Sequence, residues 1–409
     1  MKMDQTNQPI STAKMNHDTH SAKIPQKQKQ AKKTRKIILL CIELLILAVL
    51  GIILYFMLVP KASGEDEQGN QSAKEAQIAE SIDPSAVGIP TEVANDPVRQ
   101  AYRNIALFGV DVNREADNPQ DALIKGFRSD SIMIASINLD TKEIKLVSVF
   151  RDTYLNIGDG DYAKINGAYR LGGAEQAIKA LNTNLDMDIT DFITVGYAAL
   201  TKAIDGLGGV WIDVDQEEIS HLNNYQIDVA RVMGIDDYPS EKYPQVKKAG
   251  YQLLNGMQAT AYCRIRATLG WDYKRTQRQR DVLKAMQAAA QEASATDLIK
   301  VFNTIDEYIY TSLAPEDVLE FLPLAASGDV HIAEEESTFP LQKKVWEVNL
   351  GKGGAAVVVP NDLVENVIEL HKFLYGEDMG YEPPNTVKQF DQEIKNKTKE
   401  YVEAEYGPQ

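Results

Sequence analysis

The sequence predicts an α/β sandwich preceded by a single membrane helix, and three observations carry that reading. From Asn104 onward, apolar runs of strand length alternate with helix-patterned stretches, which is the order of an α/β fold. One run near the N-terminus is long and apolar enough to cross a bilayer. With 44% hydrophobic and 25% charged residues among 409, the composition is ordinary for folded protein and leaves room for one large domain or two average ones.

Residues 1–36 are rich in Gln, Lys, Asn, Thr and Ser and have little to bury, so they read as a disordered basic tail. The run 37–59 is interrupted only by Glu43 and Gly51; at about 1.5 Å per helical residue it spans roughly the 30 Å hydrocarbon layer. It is longer than the apolar core of a signal peptide, and no Ala-x-Ala type site follows Val59 and Pro60, so a retained helix is favoured over a cleaved one. Lys27, Lys29, Lys32, Lys33, Arg35 and Lys36 precede the run, whereas Glu65, Asp66, Glu67, Glu75 and Glu80 follow it. The positive-inside rule then puts the N-terminus in the cytoplasm and everything after Pro60 outside, as a single-pass protein of the cell membrane. Residues 60–95, polar or small and containing Pro84 and Pro90, read as a linker. With Cys41 in the apolar run and Cys263 beyond it, no disulfide between them is expected, and Cys263 reads as a small buried hydrophobe.

The runs 105–110, 131–137 and 144–150 read as buried strands, 173–185 as a helix, and 193–195 and 210–214 as further strands around a helix over 198–207. Residues 215–250, polar and containing Pro239 and Pro244, read as an excursion over one face, with helices following at 256–267 and 274–293. A main domain over 96–295 is followed by an α/β extension over 296–376: helices at 297–310 and 315–326, strands at 330–333 and 355–359, and a helix at 363–374. Residues 377–409, acidic and polar with a Pro383-Pro384 break, read as a polar tail or a loosely packed surface helix.

Although the net charge is -16, arginines and carboxylates concentrate in a few segments: Asp111, Arg128 with Asp130, Arg151-Asp152, and Arg264, Arg266, Asp272, Arg275, Arg278 and Gln279. Guanidinium groups fork onto phosphate oxygens, and interleaved carboxylates can hold a divalent cation against the same anion, so the pattern reads as a phosphate site with metal. Asp111, Arg128-Asp130 and Arg151-Asp152 fall at predicted strand ends, where α/β sheets bind ligands; ordinary surface ion pairs are the competing reading. Arg275, Arg278 and Gln279 share a helical face with Val282 and Met286 and so point inward. Such arginines need a buried counter-charge, either a ligand anion or an internal carboxylate such as Asp272. Lys164 is a further candidate phosphate contact or simply an exposed lysine. The histidines lack metal-ligand spacing, and neither a Ser-His-Asp triad nor a Walker-type glycine loop occurs. The acidic balance and external location weigh against nucleic-acid binding.

The segments NIALFGVD, RSDSIMIASIN, LVSVFRDTYLNI, KINGAY with LGG, DGLGGVWIDV, and YCRIR followed by DYKRTQRQRDVL resemble the LytR-CpsA-Psr family of bacterial envelope phosphotransferases, over roughly residues 100–290. The resemblance implies an αβα sandwich with a central mixed sheet and a groove for a polyprenyl chain whose pyrophosphate lies among arginines with Mg2+ or Mn2+. It also implies transfer of a glycopolymer, such as teichoic acid or capsule, from polyprenyl pyrophosphate to a peptidoglycan hydroxyl through a phosphodiester. By motif, Asp111 and Asp130 match the metal-side carboxylates, and Arg128, Arg151, Arg264, Arg266, Arg275 and Gln279 the pyrophosphate ligands. Asp152 and Asp272 would orient arginines or serve as base. Phe150 stands where the family usually has Pro, and Gly167 where a His commonly follows Lys-Ile-Asn. A hydrolase of lipid-linked intermediates, with water as acceptor, would use the same groups, and a non-catalytic envelope protein that only binds polymer or acts in regulation would not need the carboxylates.

Overall fold

The structure is a computed structural model. It describes residues 77–78, 82–90, 93, 95–110, 123–124, 126–265, 271–293, 297, 300–301, 304–305, 308–313, 331–333, 335, 337–351, 354–377 and 380–408. The apolar run 37–59 lies outside these residues, and none of the described helices is long and apolar enough to cross a membrane. Asp111, Arg266 and the predicted helix 315–326 also lie outside them.

In chain order the strands and helices are β1 (Gln77–Ile78), β2 (Tyr102–Val110), β3 (Ser129–Asn138), β4 (Glu143–Val149), β5 (Tyr154–Gly158), β6 (Asp161–Lys164), α1 (Asn166–Leu185), β7 (Asp191–Gly196) and α2 (Tyr197–Gly206). Then come β8 (Val210–Val214), α3 (Glu218–Val232), β9 (Gly250–Leu254), α4 (Gly256–Arg264) and α5 (Trp271–Glu292). The C-terminal third adds β10 (Ile309–Thr311), β11 (His331–Ile332), β12 (Ser337–Phe339), β13 (Val345–Asn349), β14 (Ala356–Pro360), α6 (Leu363–Tyr375) and α7 (Asn385–Tyr406).

The central sheet is mixed, as expected, with the order β1-β10-β7-β2-β3-β4-β11 and β12 also on β4. β2 pairs with β7 in parallel and with β3 antiparallel, and β4 runs antiparallel to β3. Strand alternation sends Ile132 and Ile134 to one face, into a core shared with Ala174 and Ile178 of α1. It sends Ser131 and Ser148 to the other, where they bond to α5. Helices therefore cover both faces. Near its start α1 has non-helical backbone at Gly172 and Gly173, which is why the sequence pattern marks a helix only from Gly173.

Three readings need correction, and the place of the extension 296–376 becomes visible. The excursion 215–250 contains α3, a 15-residue helix held by inward-facing Glu218, Leu222, Gln226, Val229 and Ala230; two polar residues in that stripe hide its period. The predicted helix 297–310 gives way to strand at Ile309, because β10 pairs with β7. The extension 296–376 is built into the main sheet, since β10 joins it through β7 while β11 and β12 join it through β4. The expected tail carries the 22-residue α7, whose Val387, Ile394 and Val402 enter the main core; their spacing of seven and eight residues is one helical stripe.

Cys263 is free and buried, and burial, followed by the nearby Asp281 carboxylate, pushes its thiol up to about 12. His371, on α6, is fully buried, stacks on Tyr381 at 3.8 Å and hydrogen-bonds the Leu185 carbonyl at 2.9 Å. Burial first, and the Arg99 guanidinium second, push its pKa down to about 3. Between that value and the ordinary 6.5 the unfolded chain binds a proton that the folded chain refuses, so stability rises with pH across this window. Urea unfolding is expected to show wild type losing roughly 1.4 kcal/mol per pH unit below 6.5 from this group. A His371→Gln variant should show a correspondingly flatter profile from pH 7 to 4, and parallel profiles would contradict the assignment.

Candidate functional site

The ends that matter fall on one edge of the sheet. Val110 at the end of β2 is in register with Ser129 at the start of β3 and with Gly196 at the end of β7. The β3–β4 ladder, continued three steps past its last pair, Met133 with Ser148, sets Asp130 opposite Arg151. On the β2 side, Gly109 pairs with Ser131 and Val110 with Ser129, so Asp130 is the extra residue of a bulge. Bulges re-aim a side chain out of the ladder. The Asp130 carboxylate accepts a hydrogen bond from Nη1 of Arg151.

The 150–153 turn is held from three directions. The Phe150 N–H donates to the Phe339 carbonyl of β12 at 2.9 Å, the Val358 N–H of β14 donates to the Asp152 carbonyl at 2.9 Å, and the Asn166 N–H donates to the Arg151 carbonyl at 3.1 Å. Lys164, just ahead of that last contact, sends Nζ to Asp152 Oδ1 at 2.9 Å, while Arg151 Nε lies 3.7 Å from Asp152 Oδ2. Asp152 is thus buried between two cations, which suits a residue that orients them. The β12 and β14 contacts show what the C-terminal extension does here: it fixes the backbone that presents Arg151.

Arg264, at the end of α4, lies at the same edge, its guanidinium 4.9 Å from the Tyr197 ring and 5.7 Å from that of Tyr225. Tyr197 follows the last residue of β7, and stacking on two rings holds a guanidinium in orientation without neutralising it. The α4 helix sits close to α2 because Gly256 has no side chain; a Cβ there would collide with the Thr201 carbonyl. From α5, half-buried Gln279 accepts a hydrogen bond from the Ser131 hydroxyl at 3.1 Å, and Arg275 is buried on the same helix. Arg128, one residue before β3, is exposed.

Arg278 is placed differently. It is 2% exposed, donates through Nε to Glu218 Oε1 at 2.7 Å and through Nη1 to the Ile265 carbonyl at 3.0 Å. Of the two counter-charges considered, this arginine takes an internal carboxylate, and the carboxylate is Glu218 of α3. The side chain of Asp272 lies outside the described residues. The structure also adds Arg280, buried, which donates to Ser148 Oγ at 2.8 Å and to Gln277 Oε1 at 2.7 Å. Its position beside Gln279 in the Arg-Gln-Arg run was the only signal for it. A side chain at Gly167 would meet only Ile157, at 3.8 Å, so packing does not demand the glycine.

Cations and carboxylates thus gather at one strand-end edge of an α/β sheet, the place where such sheets bind ligands. The sequence model of the LytR_cpsA_psr family matches residues 55–349, well over half the chain, and the protein belongs to that family. An Enterococcus faecalis protein named polyisoprenyl-teichoic acid--peptidoglycan teichoic acid transferase TagU is 26% identical over 53% of this chain, and the match spans 63% of that relative's own length. The regulatory protein MsrR of Staphylococcus aureus is 25% identical over 59% of this chain and 68% of its own. The crystal structure of a Streptococcus agalactiae protein superposes with a TM-score of 0.53 at 21% identity, over 70% of this chain and 91% of that one, a likeness of fold.

Proposed function

We propose that the chain is a membrane-anchored phosphotransferase of the bacterial envelope, its fold outside the cytoplasm. It moves an anionic glycopolymer of teichoic acid or capsule type from polyprenyl pyrophosphate to a peptidoglycan hydroxyl. The observation that carries this reading is the meeting of Asp130, Arg151, Asp152 and Lys164 at one sheet end. The name of the Enterococcus faecalis relative supports it. In the reaction the acceptor oxygen bonds to the glycan-side phosphorus and the bond to the bridging oxygen breaks. The electron pair leaves on polyprenyl phosphate, and the acceptor proton passes to a base. Such chemistry needs positioned positive charge far more than a protein nucleophile.

Arg151 and Lys164, held by Asp130 and Asp152, would bind and orient the pyrophosphate, with Arg264, Arg275 and Gln279 on the α4–α5 side and Arg128 and Arg266 completing the set. Arg278 acts through Glu218 and the Ile265 backbone, which ties the segment between Arg264 and Arg266 to the core. Mg2+ or Mn2+ would be held by Asp130 with Asp111, since carboxylate oxygens are the donors these ions share with phosphates. The fit is partial: Asp130 offers a half-buried carboxylate, and no group of three or more metal-binding side chains occurs among the described residues. The bound ion would supply neutralisation of pyrophosphate charge. Arg151→Ala is expected to weaken binding of a polyprenyl pyrophosphate by about 1.5 to 3 kcal/mol, the range for a hydrogen bond to a charged group. Calorimetric titration checks this, and unchanged affinity would remove Arg151 from the site.

A further inference from the structure

We propose that the outer face of the β8–β9 hairpin is a membrane-contact surface, which seats the fold on the bilayer from which its donor lipid comes. The inference rests on the membrane-anchored reading above. Among the described residues β8 and β9 pair only with each other, apart from the central sheet. Their alternation buries Val210, Ile212 and Val214 and turns Trp211, Tyr251 and Leu253 outward. These three are 53%, 71% and 48% exposed. Trp211 is in register with Leu253, and its ring stacks on Tyr251 at 5.3 Å and 23°. Three large apolar side chains gathered on one exposed face mark an interaction site.

The chemistry of the face favours lipid over sugar. Trp and Tyr carry an apolar body with a polar handle and concentrate where hydrocarbon meets water. Leu253 offers a sugar neither donor nor acceptor, yet it suits acyl chains. Lys247 and Lys248, exposed just before β9, complement anionic headgroups.

The tether points the same way. The hairpin's inward residues Val210, Ile212, Val214 and Leu254 share one core with Ile309 of β10. β10 in turn pairs with β1, where the described fold begins. From Val59 to Gln77 the chain has the 17 residues 60–76, which reach at most about 60 Å when fully extended. An anchor at 37–59 therefore keeps the β1–β10 edge, and the hairpin packed beside it, within reach of the bilayer.

The test uses the full chain in phosphatidylethanolamine–phosphatidylglycerol vesicles, with plain or brominated acyl chains. Flotation reports anchoring and tryptophan emission reports contact. The expected result is a floating protein whose emission drops in brominated vesicles. Trp211→Phe, at an exposed position, should abolish the quenchable part, and Lys247→Glu with Lys248→Glu should shrink it. A floating protein with equal emission in both vesicles, or quenching unchanged in Trp211→Phe, overturns the contact surface and leaves anchoring intact. Protection of Trp211 by purified glycan strands, without bromolipid quenching, would replace the lipid face with a sugar platform. A protein that does not float overturns the anchored reading and this inference together.

Discussion

Asp130→Asn is expected to lower transfer of lipid-linked glycan to peptidoglycan by on the order of a hundredfold, the loss that follows removal of one preorganised electrostatic stabiliser. The bulge at Gly109–Val110 turns Asp130 out of the β3 ladder, so the substitution leaves strand pairing alone. Asparagine keeps the shape and still offers Arg151 an acceptor, but removes the formal charge that a metal ion needs. Because charge grows on the leaving phosphate only as the bond breaks, the loss falls on the transition state more than on the bound lipid. Steady-state transfer and lipid binding measured side by side check this. A variant that loses binding as much as rate would make Asp130 a ground-state ligand, and one that keeps full rate would remove it from the reaction.

Arg278→Ala is expected to destabilise the fold by about 3 to 5 kcal/mol, the penalty for stripping one partner from a buried ion pair. Glu218 is 4% exposed and Arg278 2%; the truncation leaves a carboxylate in the core and also frees the Ile265 carbonyl. Replacing both, as Glu218→Gln with Arg278→Met, removes the uncompensated charge and should recover much of the loss. Urea unfolding of the singles and the double gives the coupling directly. A single-variant loss below about 1 kcal/mol, the level of an exposed pair, would contradict this account of Arg278.

β2, β3 and β4 of the central sheet were legible because they are largely buried and read as continuous apolar runs at 105–110, 131–137 and 144–150. Among the pieces that escaped, β6, β9 and β13 are short, partly exposed and mixed in polarity, and β5 is short and buried but interrupted by Asn156; no local period marks them. α7 was hidden by its charges, although Val387, Ile394 and Val402 repeat at helical spacing. At the site, one-dimensional pattern found Asp130, Arg151, Asp152, Lys164, Arg264 and Gln279 and placed the first three at strand ends. It could not show that those ends meet, because that depends on strand order. Nor could it assign Arg278: its inward direction was readable from Val282 and Met286, but its partner Glu218 lies 60 residues away. Arg280 escaped for the same reason, since its partner Ser148 comes from β4.

The most direct measurement follows the fate of a labelled, polyprenyl-pyrophosphate-linked glycan incubated with the full chain, peptidoglycan oligomers and Mg2+, with products resolved by mass spectrometry. The account predicts glycan joined to peptidoglycan through a phosphodiester, polyprenyl phosphate released in equal amount, and both lost in Arg151→Ala. Glycan phosphate released only into water, with no peptidoglycan conjugate, would contradict it.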